Sequence, residues 1–336
     1  MKIKNLITSA LTLGLGFTLL CQNISFAQTL YISTSGATIR RSTDGGATWS
    51  NWHTNTGSTY RGLTADIATN TLFAWDTNGN YIRAINMATG SFITNVTLSS
   101  NVSGSGGKPI MFDSETNRVY VNFGTTPSYR YFSWDGANFG AETNTSSSNN
   151  WNANDFIRGG NYIWATGSPG ANLRATPWNS GTLNAHTTVS FTISGTNTTT
   201  NIADIAVTPL GRFLVLFDNG TLSYTADGLT SNTSSKELAG NITPFSGTGT
   251  ELAYFNGKIY AANTTQLYVY DFDDTTATFT FSANYSLGVT LSSTSHLVVI
   301  PEPKIISMAI LGLTALLFLR HNRNIQRDKT KGSPIA

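Results

Sequence analysis

Cysteine is all but missing: the 336 residues hold one, Cys21, close to the N-terminus. Leu20 precedes it where a lipid-attachment motif takes Gly, Ala or Ser, so Cys21 is expected to leave with an export signal. The exported chain then has no disulfide, no thiolate metal site and no cysteine nucleophile. Charge is also sparse, at 11% of residues, with Ser, Thr, Asn and Gly taking its place. Residues 28–300 carry 12 basic and 16 acidic side chains, a net −4, and the positive balance of the whole sequence arises at its two ends. A weakly acidic body without basic clusters is a poor match to nucleic acid or to polyanions. Sustained apolar spacing of three and four is absent, which argues against helices.

What is present begins with two export elements. Lys2 and Lys4 precede the apolar stretch Leu6 to Leu20, and Ser25-Phe26-Ala27 offers small residues at −3 and −1 for cleavage before Gln28. Residues 1–27 therefore read as a signal peptide. At the other end, Pro301-Glu302-Pro303 stands directly before the apolar run 305–319, which closes on Arg320, His321 and Arg323. The prolines fix φ and remove donors, so no helix runs through them. The apolar run restarts as a membrane helix whose arginines hold its end in the cytoplasm. At 15 residues it is short against the ~20 of an ordinary span. This tripartite tail, 301–336, resembles the PEP-CTERM sorting signal of bacteria that make exopolysaccharide. The resemblance implies recognition by an exosortase at the inner membrane, after delivery by the secretion machinery, with the membrane occupied transiently. The alternative is a permanent single-pass anchor.

Between the ends, short runs of Val, Ile, Tyr, Phe and Thr alternate with Gly/Asn/Asp/Ser turns. A pair of strands around a tight polar turn recurs at 66–75, 110–121, 155–165, 204–216 and 252–261. Taking Leu72, Val119, Tyr162, Phe213 and Ile259 as equivalent gives spacings of 47, 43, 51 and 46. Such a period with about four strands per unit predicts an all-β propeller over 28–300. Residues 31–52 supply only the later strands of one blade, and the strand 296–300 supplies its first. Six blades follow, with ring closure by the C-terminal strand. Seven would require splitting the interval 162–213, and a β-sandwich leaves the period unexplained.

One local motif is sharp. Ser42-Thr43-Asp44-Gly45-Gly46-Ala47-Thr48-Trp49 follows the pattern Ser-x-Asp-x-Gly-x-Thr-Trp. In it Asp44 accepts backbone N–H bonds across a turn, Gly46 takes φ > 0 and Trp49 packs over the hairpin. It resembles the Asp-box of sialidases and other BNR-type propellers. That resemblance implies a structural turn on an outer hairpin, away from any active site.

Catalytic residues are not legible. Glutamate in the body is limited to Glu115, Glu142, Glu237 and Glu251, none in a recognisable frame. Glycoside hydrolysis needs two carboxylates facing one bond, which spacing alone does not reveal. His53, His186 and His296 are scattered, and Asp271, Asp273 and Asp274 lack the Gly and distal Glu of a calcium loop. No cofactor is expected. Aromatics are plentiful; most are expected between blades, with Trp151, in a polar loop, the least buried. The sequence thus points to an exported, surface-associated, non-enzymatic propeller that binds or builds the extracellular polysaccharide matrix, or meets a surface protein. An extracytoplasmic glycan hydrolase or lyase is the alternative.

Overall fold

The computed structural model describes residues 28–301 except positions 35, 100–109, 123–128, 146–152, 160–161, 168–171, 180–181, 184–186, 194–200, 226–234 and 243–247. The cleavage residues Ser25 and Ala27, the expected helix 305–319 and the tail residues Glu302, Pro303, Arg320 and Arg323 lie outside the described residues, as does Trp151. No helix among the described residues is long and apolar enough to cross a membrane.

The described chain is a ring of six antiparallel blades, and within each blade the strands run outward from the axis in chain order. Blade 1 joins the two ends: β25 (His296–Pro301) is innermost, followed by β1 (Gln28–Ser33), β2 (Thr38–Ser42) and β3 (Ser50–Thr54). Blade 2 is β4 (Tyr60–Asp66), β5 (Thr71–Asp76), β6 (Tyr81–Asn86) and β7 (Phe92–Thr97). Blade 3 is β8 (Ile110–Asp113), β9 (Arg118–Asn122), β10 (Tyr129–Ser133) and the short β11 (Thr143–Asn144). Blade 4 is β12 (Ala153–Gly159), β13 (Tyr162–Gly167), β14 (Asn172–Asn179) and β16 (Thr187–Ile193), with β15 (Thr182–Leu183) paired to β14. Blade 5 is β17 (Ile202–Val207), β18 (Phe213–Phe217), β19 (Leu222–Thr225) and β20 (Ser235–Ile242). Blade 6 is β21 (Gly249–Phe255), β22 (Lys258–Asn263), β23 (Gln266–Asp273) and β24 (Thr278–Ser286).

Burial follows position in the blade. The second strands, with a neighbouring blade on each face, are the most deeply buried, and those of blades 2 and 5 are buried throughout and correspondingly continuous in sequence: Thr71–Asp76 reads TLFAWD and Phe213–Phe217 reads FLVLF. The outermost β24 alternates instead between exposed and half-buried positions. Each of the six blade interfaces has its own apolar cluster. Tyr31, Leu72 and Ile300 meet between blades 1 and 2, Phe73, Val119 and Phe132 between 2 and 3, and Tyr120, Ile163 and Trp178 between 3 and 4. Trp164 and Phe213 meet between 4 and 5, Leu214 and Ile259 between 5 and 6, and Leu30, Tyr260 and Leu297 between 6 and 1. A blade buries its second face only against the next, so the sixth cluster is what closes the ring.

The period of the sequence maps onto one side of the second strands, with one shift. Leu72, Val119, Phe213 and Ile259 all face the preceding blade, but in blade 4 that place belongs to Ile163 rather than Tyr162. Successive side chains point to opposite faces, so the one-residue difference moves Tyr162 onto the blade 5 side. A second feature is absent from the sequence pattern: β16 and β20, the outer strands of blades 4 and 5, pair in parallel from Ser190↔Ser235 to Ile193↔Leu238. That pairing covers two edges that would otherwise expose unpaired N–H and C=O groups.

Tight turns join the strands through left-handed asparagines. Asn70 (φ 56°) and Asn117 (φ 51°) occupy equivalent places four residues after Asp66 and Asp113. Each aspartate accepts a backbone N–H from inside its turn, Ala68 for Asp66 and Thr116 for Asp113, both at 3.0 Å.

Candidate functional site

The innermost strands β4, β8, β12, β17, β21 and β25 surround an axial cavity of about 290 Å³. Its wall is mostly aliphatic, from Leu63, Ile110, Ile157, Ile205, Leu252 and Leu297, and its polar groups are Thr64, Arg158, Tyr254 and His296. The volume is at the small end of ligand pockets. No carboxylate lines it among the described residues.

Side chains of the inner strands are instead used to fasten one blade to the next. The carboxylate of Asp204 on β17 accepts the Leu252 N–H of β21 at 2.7 Å and its own Ile205 N–H at 2.8 Å. Glu251 on β21 accepts the Leu297 N–H of β25 at 2.9 Å. His296 on β25 accepts the Leu63 N–H of β4 through Nδ1 at 2.7 Å, which fixes Nδ1 as the unprotonated ring nitrogen. Thr64 on β4 accepts the Phe112 N–H of β8 at 2.9 Å. Ser33 adds to the closure: its Oγ accepts the His296 N–H at 2.8 Å and donates to the Arg61 carbonyl of blade 2. Asp204 and Glu251 each follow a bulge, between Ile202 and Asp204 and between Gly249 and Glu251. A bulge re-aims a side chain out of the regular alternation, and these turn along the ring. Both residues are at most 1% exposed. Hydrogen bonds to charged acceptors in such places contribute about 1.5–3 kcal/mol each.

At the end of the cavity where the inner strands finish, Arg158 pairs with Asp113 at 2.5 Å and with Glu115 at 2.6 Å, and its guanidinium lies 5.2 Å from the Trp178 ring centroid. Partial burial works against the Arg158 cation, but Glu115 and Asp113 outweigh it and hold its pKa above the usual value. The two carboxylates that converge on this arginine therefore share a single cation. That arrangement is unlike the pair of unequal carboxyls that glycoside hydrolysis uses.

The residues singled out in the sequence fall as follows. Ser42, Asp44, Gly46 and Trp49 meet in the β2–β3 turn. The Ser42 hydroxyl bonds Asp44 at 2.7 Å and accepts the Gly46 N–H at 2.8 Å, and Asp44 accepts the Thr48 N–H at 2.9 Å and its hydroxyl at 2.6 Å. Hydrogen bonds from Thr48 and Ser42 lower the Asp44 pKa to about 2. Gly46 has φ +103°, and Trp49 packs against the cluster shared with blade 6. Pro301 ends β25. Glu142 accepts from Arg130 at 2.5 Å and from the Ser99 N–H at 2.9 Å. Asp271 pairs with Lys258 at 2.6 Å, Asp273 accepts the Thr275 N–H at 2.9 Å, and Asp274 accepts the Leu210 N–H at 2.9 Å. No group of three His, Cys, Asp or Glu suited to a metal ion occurs among the described residues. His53 bridges blades 1 and 2, with Nδ1 on the Gly90 carbonyl and Nε2 on the Tyr60 hydroxyl, both at 2.9 Å. Trp75, Trp134, Trp164 and Trp178 are buried, as expected of inter-blade aromatics.

The roles of Asp204, Glu251 and Thr64 escaped the sequence reading. The available signal was an acid at matching places in consecutive repeats, Asp204 and Glu251, 47 residues apart.

No family model matches the chain, and no curated protein does. Solved structures do. The chain is similar to the periplasmic gluconolactonase of Pseudomonas aeruginosa at 12% identity and a TM-score of 0.54, over 82% of this chain and 99% of that one. It is similar to a protein of Lactobacillus plantarum at 11% identity and a TM-score of 0.56, over 82% and 99%. A chain of the nidogen/laminin complex matches at 9% identity and a TM-score of 0.57, over 81% and 98%. At these identities the likeness is one of fold, and the fold is a six-bladed β-propeller.

Proposed function

We propose that the protein is an exported, surface-associated propeller that binds or builds the extracellular polysaccharide matrix without catalysing a reaction. Its N-terminal segment directs export, and the tail from Pro301 sends it through an exosortase-type processing step. The observation that carries the non-catalytic part is the engagement of the acids nearest the axis. Asp204 and Glu251 hold backbone N–H groups of the next blade, and Asp113 and Glu115 share Arg158. Acids committed in this way to backbone N–H groups and to a guanidinium turn their hydrogen-bonded oxygens towards the protein and away from a bound substrate. The weakly acidic, hydroxyl-rich body suits a hydrated matrix.

A second reading, an extracytoplasmic hydrolase, has the gluconolactonase likeness in its favour. The two separate in one experiment. The exported protein is mixed with the exopolysaccharide of the producing bacterium and sedimented. Protein in the pellet with no new sugar in the supernatant is the expected result. Released sugar, or opening of a sugar lactone above the buffer rate, would replace the binding role by a catalytic one.

A further inference from the structure

Large apolar side chains are exposed at four described positions: Ile67, Phe92, Leu210 and Phe281. Phe92 differs from the others in its surroundings. It lies on β7, the outer strand of blade 2, and is 51% exposed. The Arg83 guanidinium of β6 sits 5.9 Å from its ring centroid and 5.3 Å from that of Tyr81, so the cation lies between two rings. Nε and Nη2 of Arg83 both hold Asp76 Oδ2 at 2.8 Å. The other Asp76 oxygen accepts the Thr59 N–H at 3.0 Å and the Asn78 N–H at 3.2 Å. The guanidinium is thus fixed in place, and its Nη1 has no hydrogen-bond partner among the described residues. Directly opposite Arg83 in the register, and so on the same side of the sheet, is the exposed Asn95. Among the described residues neither the Asn95 amide nor the Tyr81 hydroxyl is taken by another side chain.

We propose that Tyr81, Arg83, Phe92 and Asn95 form a binding subsite for a neutral hexose chain on the face of blade 2. This rests on the matrix role proposed above and gives it a place. The ring of Phe92 offers an apolar plate to the C–H face of a pyranose. The Arg83 edge and the Asn95 amide offer planar donors, and the amide and phenol offer acceptors, at the height of the ring hydroxyls. Preorganisation is supplied by Asp76, which is buried and holds the arginine before any ligand arrives. Asp76 also decides the charge of the ligand. It cancels the Arg83 cation, so the subsite is neutral, and the net −4 of the body disfavours an acidic chain further. Phe281, on the outer strand of blade 6, has Tyr270 at 5.6 Å and no cation near its ring. It is an exposed aromatic without the polar half of a sugar site and serves as the control.

The experiment titrates the exported protein, by calorimetry, with cellohexaose, maltohexaose and a neutral mannan, and with polygalacturonate as the acidic probe. At least one neutral probe is expected to bind, in a manner insensitive to salt. Phe92→Ala is expected to weaken it about tenfold, the equivalent of about 1.4 kcal/mol, and Asn95→Ala about threefold. Phe281→Ala should leave it unchanged. Both Phe92 and Asn95 are exposed, so folding is preserved, and a thermal melt of each variant checks this. No binding of any neutral probe, equal binding by Phe92→Ala, or salt-sensitive binding of polygalacturonate alone overturns the proposal. Sedimentation with the native exopolysaccharide separates the two levels. Co-pelleting that Phe92→Ala leaves intact removes this subsite and spares the matrix role, whereas no co-pelleting by the wild type removes both.

Discussion

Glu251 and Leu297 belong to different blades and are joined directly: the Glu251 carboxylate accepts the Leu297 N–H at 2.9 Å, with the glutamate fully buried. Leu297 is in the ring-closing strand, so this bond clamps the closure from the blade 6 side. Replacing Glu251 by Ala leaves a buried N–H without its acceptor, and a loss of about 2–4 kcal/mol is expected in urea unfolding. Glu251→Gln keeps a side-chain carbonyl in reach and should lose about half as much. Equal losses would mean that the side chain acts by volume and not as an acceptor.

Asp44 predicts a specific acid sensitivity. Its folded pKa of about 2 lies below the ordinary carboxylate value near 3.9 because Thr48 and Ser42 hydrogen-bond the ionised form. A depressed pKa contributes stability that is complete above the unfolded value and is lost as pH falls from about 4 towards 2. Calorimetry of the wild type and Asp44→Asn is expected to show a gap in Tm of about 2–4 °C at pH 6 that closes by pH 2. A gap independent of pH would sink the assignment.

Two adjacent glycines separate conformation from space. Gly45 (φ +71°) has nothing within 4 Å of an added Cβ, whereas at Gly46 (φ +103°) the Cβ would fall 2.4 Å from Leu267 Cδ2. Gly45→Ala is expected to cost about 1 kcal/mol, for the left-handed backbone alone. Gly46→Ala should cost about 2–4 kcal/mol, since the buried Leu267 side chain of blade 6 must also shift. Chemical denaturation of both variants reads the difference directly, and matching losses would count against the contact.

Trp164 is the largest fully buried side chain and meets Phe213 edge to face at 4.6 Å across the interface of blades 4 and 5. Trp164→Ala is expected to destabilise by about 3–5 kcal/mol. A double-mutant cycle with Phe213→Leu should give a coupling of about 0.5–1.5 kcal/mol. Additive losses would show that the two rings act independently.

The sequence revealed the fold because propeller blades repeat and because strand 296–300 has no partner except in a ring. It misled at Tyr162, since a hairpin whose turn differs by one residue shifts the facing set without altering the look of the repeat. The parallel pairing of β16 and β20 had no sequence sign, since it is made by backbone groups of two distant edges. Asp204 and Glu251 looked like ordinary polar residues, because what they accept is set by a bulge and a neighbouring blade. The Phe92 face was hidden for a related reason. Arg83 and Asn95 are 12 positions apart and become neighbours only through the β6–β7 register. At Asp44 the acceptor role and the positive φ of Gly46 were legible, being local to the chain, whereas the packing of Trp49 against the blade 6 cluster was not.

His296 at the start of β25 touches Ser33 at the end of β1, so the two strands run in opposite directions. Force applied at the C-terminal end of the body therefore enters along β25, parallel to its long axis. The bonds it makes with β1 are then loaded together in shear and do not open one after another. The side-chain clamps from Glu251 and to Leu63 lie towards the far end of the strand from the point of pull, where they resist its sliding. A propeller closed in this way can be held by its last strand, and its mechanical lifetime is set by the rate at which that one strand slips.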